Sequence, residues 1–179
     1  MYVWTGINVD SQLAAVKGEA MQIEKALRFR NSNFTLPLHI SLKMSFELKE
    51  AALPDVVAAL SDLYAAVTPF EIAIRGLERY DNIIWIRMEN AQMLNLLHDH
   101  VNRLLGSRFG IGLHEYDLDY IFHTTLFMDD DSEKIDAAYD RIHAQQLPDK
   151  LTADTFVIGT SKTGELGTYT VLKEIKCSI

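Results

Sequence analysis

His39-Ile40-Ser41-Leu42 and, 84 positions later, His123-Thr124-Thr125-Leu126 are the stretches on which the reading of this chain turns. Each opens on an imidazole, carries a hydroxyl two residues on and closes on leucine. In an extended strand successive side chains point to opposite faces. His39 and Ser41 therefore share a face, as do His123 and Thr125, while Ile40, Leu42 and Leu126 turn toward covering helices. Lys43 continues the first polar face in this pattern.

Working outward, Val3, Thr5, Ile7 and Val9 alternate and predict a strand over residues 2–9. Asp10 or Ser11 is placed to cap a helix in which Leu13, Val16, Ala20, Ile23 and Leu27 recur every three or four residues, to about Phe29. Arg30-Asn31-Ser32-Asn33 breaks that helix, and Pro37 pushes Leu36 toward extended backbone ahead of a strand over 39–48. Pro54 and Asp55 begin a second helix along Val56, Leu60, Leu63, Tyr64 and Val67, stopped by Pro69. Strands over 70–80 and 83–89 meet at Asp81-Asn82, a tight hairpin turn. A third helix spans 91–105, followed by Gly106, Gly110 and Gly112. A strand over 121–128, the cap-rich Asp129-Asp130-Asp131-Ser132, a fourth helix along Ile135, Ala138, Tyr139 and Ile142, and a hairpin of 156–160 with 168–176 complete the pattern.

Strand, helix, strand, helix, strand thus occurs twice, over about 2–80 and 82–177. A shift of 84 carries His39 onto His123, Phe70 onto Asp154 and Ile83 onto Gly167. The expected fold is α+β: a single domain over 1–179, built of two pseudo-twofold-related lobes around a central groove. Equivalent strands then present the two histidines to that groove.

Composition narrows the function. No run approaches the ~20 apolar residues of a membrane span. The first residues, Met1-Tyr2-Val3-Trp4-Thr5-Gly6, do not read as a signal peptide. Cys177 is the single cysteine, which argues against a disulfide and against a thiolate metal site. These features point to the cytoplasm and away from a membrane. A net charge of −8 weighs against tight binding to a long nucleic acid, which needs several Lys/Arg–phosphate contacts. A mononucleotide or a strand end remains compatible, because a few donors hold one phosphate.

Phosphodiester hydrolysis needs a base for the attacking oxygen, an acid for the leaving one and donors for the phosphoryl oxygens. Histidine suits the first two tasks with its ordinary pKa of about 6.5. Serine and threonine hydroxyls suit the third. No cofactor and no metal enter this scheme. His98 and His100 lie two apart on the predicted helix and do not share a face, so they make no metal site. Asp129, Asp130 and Asp131 read as helix-capping residues. His114, Glu115, Tyr116, Asp117 and Asp119 rim the groove or are solvated. Among possible substrate contacts, Lys43 is placed for a phosphate and Trp4 or Tyr2 for stacking on a base; Trp85 reads as core.

Paired His-apolar-Ser/Thr-apolar tetrapeptides, one in each half of a chain of this length, resemble those of the 2H phosphoesterase superfamily, which includes the 2′-5′ RNA ligase-like proteins and cyclic nucleotide phosphodiesterases. Thr124 stands where that pattern usually has an apolar residue. The resemblance extends through the element order over nearly the whole chain. It implies a bilobal fold, action on 2′,3′-cyclic phosphates or 2′-5′ linkages of a nucleotide or short RNA end, and His39, Ser41, His123 and Thr125 as the catalytic tetrad. The family's cyclic phosphodiesterases further imply that His123 activates water and His39 protonates the leaving ribose oxygen. A non-catalytic module binding nucleotides or RNA ends in the same groove is the alternative, as is an interaction protein with the histidines apart.

Overall fold

The alternation at the start of the chain is realised in β1 (Tyr2–Asn8), and the first histidine opens β2 (His39–Glu47). Between them α1 (Ala14–Leu27) follows a single 3-10 turn and ends at Arg28, which is left-handed at φ 55°. The computed structural model describes residues 1–30, 32–89 and 91–177, so Asn31 of the expected helix break lies outside the described residues. α2 (Leu53–Ala65) has Pro54 in its first turn, where the missing N–H has no intrahelical partner to lose. β3 (Phe70–Tyr80) and β4 (Ile83–Met88) form the expected hairpin, with Asp81 left-handed in the turn. Then follow α3 (Gln92–Phe109), β5 (His123–Met128), α4 (Ser132–Ile142), β6 (Lys150–Ala153), β7 (Thr155–Ser161) and β8 (Thr170–Lys176).

Three local features differ from the sequence expectation. α3 runs through Gly106 and stops at Gly110, whose φ of 70° supplies the left-handed cap. β6 is an additional strand; four residues carry too little alternation to announce it. Asp10 does not cap α1 through its side chain. Its Oδ1 instead accepts from the Leu38 amide at 2.7 Å and from Lys17 Nζ at 2.6 Å. Asp10 therefore fixes the chain one residue before His39.

Among the described residues the strands form two four-stranded antiparallel sheets, ordered β2-β1-β7-β8 and β5-β4-β3-β6. Each sheet takes strands from both halves of the chain: β7 and β8 join β1 and β2, while β3 joins β4 and β5. The helices interleave in the same way. α2 backs the first sheet, where the Tyr64 hydroxyl lies 2.8 Å from Thr5 Oγ1 and its ring stacks on Phe156; α3 packs on β2 beside it. α1 and α4 pack on each other and on β5 behind the second sheet. Ile40, Leu42, Leu126 and Phe127 are fully buried between strands and helices, each stabilising the fold by roughly 1.5–3 kcal/mol.

β2 and β5 are the edge strands of their sheets, and they meet along one line. This junction sets the two histidines side by side. Gly6, paired with Ser41, allows β1 to approach closely: a Cβ there would stand 2.5 Å from the Ile40 carbonyl oxygen.

Candidate functional site

The site forms where the two edge strands meet. A groove of about 350 Å³ is lined by His39 and Ser41 from β2 and by His123 and Thr125 from β5, with Tyr120 beside them. Both imidazoles are held by the same local device. His39 Nδ1 donates to the Pro37 carbonyl at 2.8 Å, and His123 Nδ1 donates to the Ile121 carbonyl at 2.7 Å. A carbonyl only accepts, so Nδ1 carries the proton in each ring and Nε2 is left with a lone pair. Each ring also rests on a tryptophan of the neighbouring strand, His39 on Trp4 at 4.1 Å and His123 on Trp85 at 4.3 Å.

Burial pushes both imidazoles below their ordinary pKa of 6.5. The backbone hydrogen bonds oppose that shift, and for His39 the nearby His123 adds to it. Both rings are consequently neutral at neutral pH. The Tyr120 phenol, whose pKa burial pushes upward, lies beside Ser41 in the groove wall. The corresponding hydroxyl on β5, Thr125, lines the same cavity.

Lys43 borders the groove, but its ammonium has a different place from the one its spacing suggests. A register shift between the pairs Gly6↔Ser41 and Thr5↔Lys43 inserts one residue into β2. Lys43 thereby lies opposite Thr5, whose hydroxyl faces α2. Its ammonium is buried, pairs with Asp117 and donates to the Gly112 carbonyl at 3.0 Å. It is not a free cation for a phosphate. Tyr2 does not line the groove; it lies beside Gly164, where a Cβ would stand 2.9 Å from its ring. Trp4 does line the groove, but it is largely buried and engaged with His39, so it supports the imidazole rather than offering a free stacking face.

Other residues matter that the sequence pattern places elsewhere. Trp85 is the counterpart of Trp4, with its Nε1 reaching Glu78 at 3.5 Å. One tryptophan on a strand in each half of the chain was the available signal. Asp117 is buried rather than solvated; its Oδ2 also takes the His114 amide at 2.7 Å, closing a 3-10 turn. Burial raises the Asp117 carboxyl, but the Lys43 and His114 hydrogen bonds outweigh it and hold it below the ordinary range. His98, buried on α3, lies 3.6 Å from Asp117 and packs at a tilt against the Tyr120 ring. Lys43, Asp117, His98 and Tyr120 thus connect behind Ser41. Asp131 caps α4, accepting from Glu133 N and Lys134 N, as its position suggested. Among the described residues no group of three or more His, Cys, Asp or Glu is arranged to hold a metal, and no helix is long and apolar enough to cross a membrane.

The fold and site define a half-barrel α+β protein in which two edge strands bring two His-x-Ser/Thr motifs to one groove. The 2′-5′ RNA ligase superfamily model matches residues 12–165, and the chain belongs to this family of two-histidine phosphoesterases. OB1230 of Oceanobacillus iheyensis, a candidate phosphoesterase, is 35% identical over 66 residues; this spans 35% of the chain and 39% of that relative's length. Among solved structures, TT0787 of Thermus thermophilus superposes with a TM-score of 0.64 at 19% identity, covering 98% of this chain and 97% of that one. LigT of E. coli in complex with NADP+ gives 0.60 at 13% identity, covering 99% and 97%. LigT with 3′-AMP gives 0.59 at 13% identity, covering 99% and 98%. These structures share the fold.

Proposed function

We propose that this protein is a phosphoesterase that opens a 2′,3′-cyclic phosphate or cleaves a 2′-5′ phosphodiester of a nucleotide or short RNA end. The observation that carries the reading is the matched pair of imidazoles, each pinned through Nδ1 and each free at Nε2, on one groove. Neutral His123 takes a proton from water as the water oxygen bonds to phosphorus. Protonated His39 gives a proton to the ribose oxygen as its bond to phosphorus breaks. A cyclic phosphate and one water become a phosphomonoester and a free hydroxyl. Ser41 and Thr125 donate to the phosphoryl oxygens as charge shifts onto them.

The low pKa of free His39 is consistent with this role. A bound phosphate anion replaces solvent beside the ring and favours its charged form. Binding of substrate thus arms the acid. All the required groups are side chains of this chain, and the scheme assigns no step to a metal or cofactor. The complexes of LigT with 3′-AMP and with NADP+ lend support to a small nucleotide as ligand. In the reverse, ligating direction the two histidines exchange roles.

The test is to screen the pure protein against 2′,3′-cyclic mononucleotides, 2′-5′ dinucleotides and RNA ends bearing a cyclic phosphate. Product release under multiple turnover supports the reading. A ligand that is retained without conversion supports a binding module and overturns catalysis.

A further inference from the structure

Trp4 and Trp85 lie beneath corresponding imidazoles, but what lies beyond them differs. On the first sheet Trp4 pairs with Gly159, where a Cβ would stand 2.2 Å from the indole Nε1, so the indole lies directly over that strand. The turn between β7 and β8 then folds down beside it: Gly164 meets the Tyr2 ring, and Gly164, Leu166 and Gly167 border the groove. The second sheet is built differently at this place. Trp85 pairs with Glu78, and beyond it Tyr80 stacks at 5.5 Å with an interplanar angle of 7°. Tyr80 is 65% exposed. Strand order β5-β4-β3 therefore sets His123, Trp85 and Tyr80 in a row leading out of the groove, at ring separations of 4.3 and 5.5 Å.

Positive charge lies at the groove end of this row. Arg87 pairs in register with His123, and Arg75 precedes the Gly76 that pairs with Arg87. Both guanidinium groups approach the one carboxylate of Glu78, at 3.3 and 3.6 Å, which leaves an excess of one positive charge. Nothing lies within 4 Å of where a Gly76 Cβ would stand, so the floor beside Arg87 is open. The other face of β3 is occupied: Arg79 pairs with Asp136 of α4 at 2.7 Å.

We propose that this open face is a subsite for a short single-stranded RNA segment continuous with the phosphate in the groove, a proposal that rests on the phosphoesterase reading above. A base stacks on the outer face of Tyr80, and Arg75 and Arg87 take an intervening phosphate. Stacking on an aromatic ring is tolerant of sequence, because every base has a π-face. Continuity with the groove and the local positive charge select a nucleotide chain as the occupant, and the net charge of −8 limits the contact to a few nucleotides. The preferred substrate is then a cyclic-phosphate RNA end rather than a cyclic mononucleotide.

The experiment compares a 2′,3′-cyclic mononucleotide with a trinucleotide ending in the same cyclic phosphate, using the full chain and its Tyr80→Ala, Tyr80→Phe and Arg75→Ala variants. The wild type is expected to favour the trinucleotide in kcat/KM by about tenfold or more, in keeping with one stacked base. Tyr80→Ala erases most of that advantage through KM, Tyr80→Phe retains it, and Arg75→Ala lowers it while flattening its salt dependence. Equal kcat/KM for the two substrates, or an equal loss on both in Tyr80→Ala, overturns the subsite. If neither substrate is turned over, the phosphoesterase reading falls, and the subsite is judged by quenching of tryptophan fluorescence with a trinucleotide 3′-phosphate. Binding weakened about tenfold by Tyr80→Ala supports it, and unchanged binding overturns it.

Discussion

Lys43 and Asp117 form an ion pair buried on the helix side of the strand that presents His39 and Ser41. Removing one partner leaves the other charged and desolvated, which costs about 3–5 kcal/mol. Lys43→Met and Asp117→Asn are each expected to lower the urea unfolding midpoint accordingly, with the double variant Lys43→Met/Asp117→Asn less affected than the sum. A change below about 1 kcal/mol in both single variants contradicts the buried pairing. The Asp117 carboxyl is held below its ordinary 3.8, so this stabilisation is present above that value and is lost as pH falls through the depressed folded value.

The histidines give stability the same slope at milder pH. His39, His98 and His123 are all held below 6.5 by burial. In the unfolded chain they take protons first, so stability falls as pH drops below about 6.5 and levels off once the folded forms are also protonated. Urea midpoints between about pH 7.5 and 4.5 should show that decline, reduced in His123→Ala. A flat profile in the wild type removes the argument.

Activity carries a related signature. kcat/KM reports the free enzyme, and it needs one imidazole charged and one neutral. With both values below 6.5, its bell should centre on the acid side of that pH. A maximum above about pH 7 on a cyclic mononucleotide is incompatible with the acid–base pair. His39→Ala and His123→Ala should each lower kcat by at least the roughly 10²–10⁴-fold of a lost acid or base. The double variant should be little worse, because the two act on one displacement. Turnover should survive EDTA.

Tyr120 is expected to act through Ser41. Tyr120→Phe removes the phenol that lies beside Ser41 and should lower kcat several-fold, less than either histidine change. Ser41→Ala in the Tyr120→Phe background should then cost little more than Ser41→Ala alone, a coupling that a double-mutant cycle reads directly. Additive losses separate the two residues.

Gly159→Ala tests the tryptophan support. The added methyl meets the Trp4 indole at 2.2 Å, and the indole has no room in its buried place. Overpacking of this kind costs about 1–3 kcal/mol. The expected result is a lower melting temperature together with a shifted acid limb for His39, measured by NMR titration of the imidazole. An unperturbed titration shows that Trp4 does not hold the ring.

Much of the fold is legible because local rules state its elements. Alternation in Val3, Thr5, Ile7 and Val9, the turn at Asp81-Asn82 and the cap at Asp131 each carry a local physical rule. The groove pair His39/His123 is legible because the same motif, an imidazole with a hydroxyl two residues on, opens a strand in each half of the chain. Lys43 is not, since one inserted residue in β2 turns it to the helix side and alternation alone does not reveal an insertion. Asp10 misleads because a carboxylate beside a helix start suits a cap, whereas its partner Leu38 lies 28 residues away. Trp85 reads as core and is indeed buried, but its contact with His123 depends on which strands adjoin.

The exchange of strands between the sheets also governs the order of assembly. β1 pairs on one side with β2 and on the other with β7, whose residues lie about 150 positions further along the chain. During synthesis the β1 edge stays unsatisfied until Thr155–Ser161 has left the ribosome, whereas β3 and β4 close as a local hairpin at once. Such long-range pairing slows folding. It also makes a chain interrupted before β7 a species with an open hydrogen-bonding edge on β1, prone to pair with another chain instead.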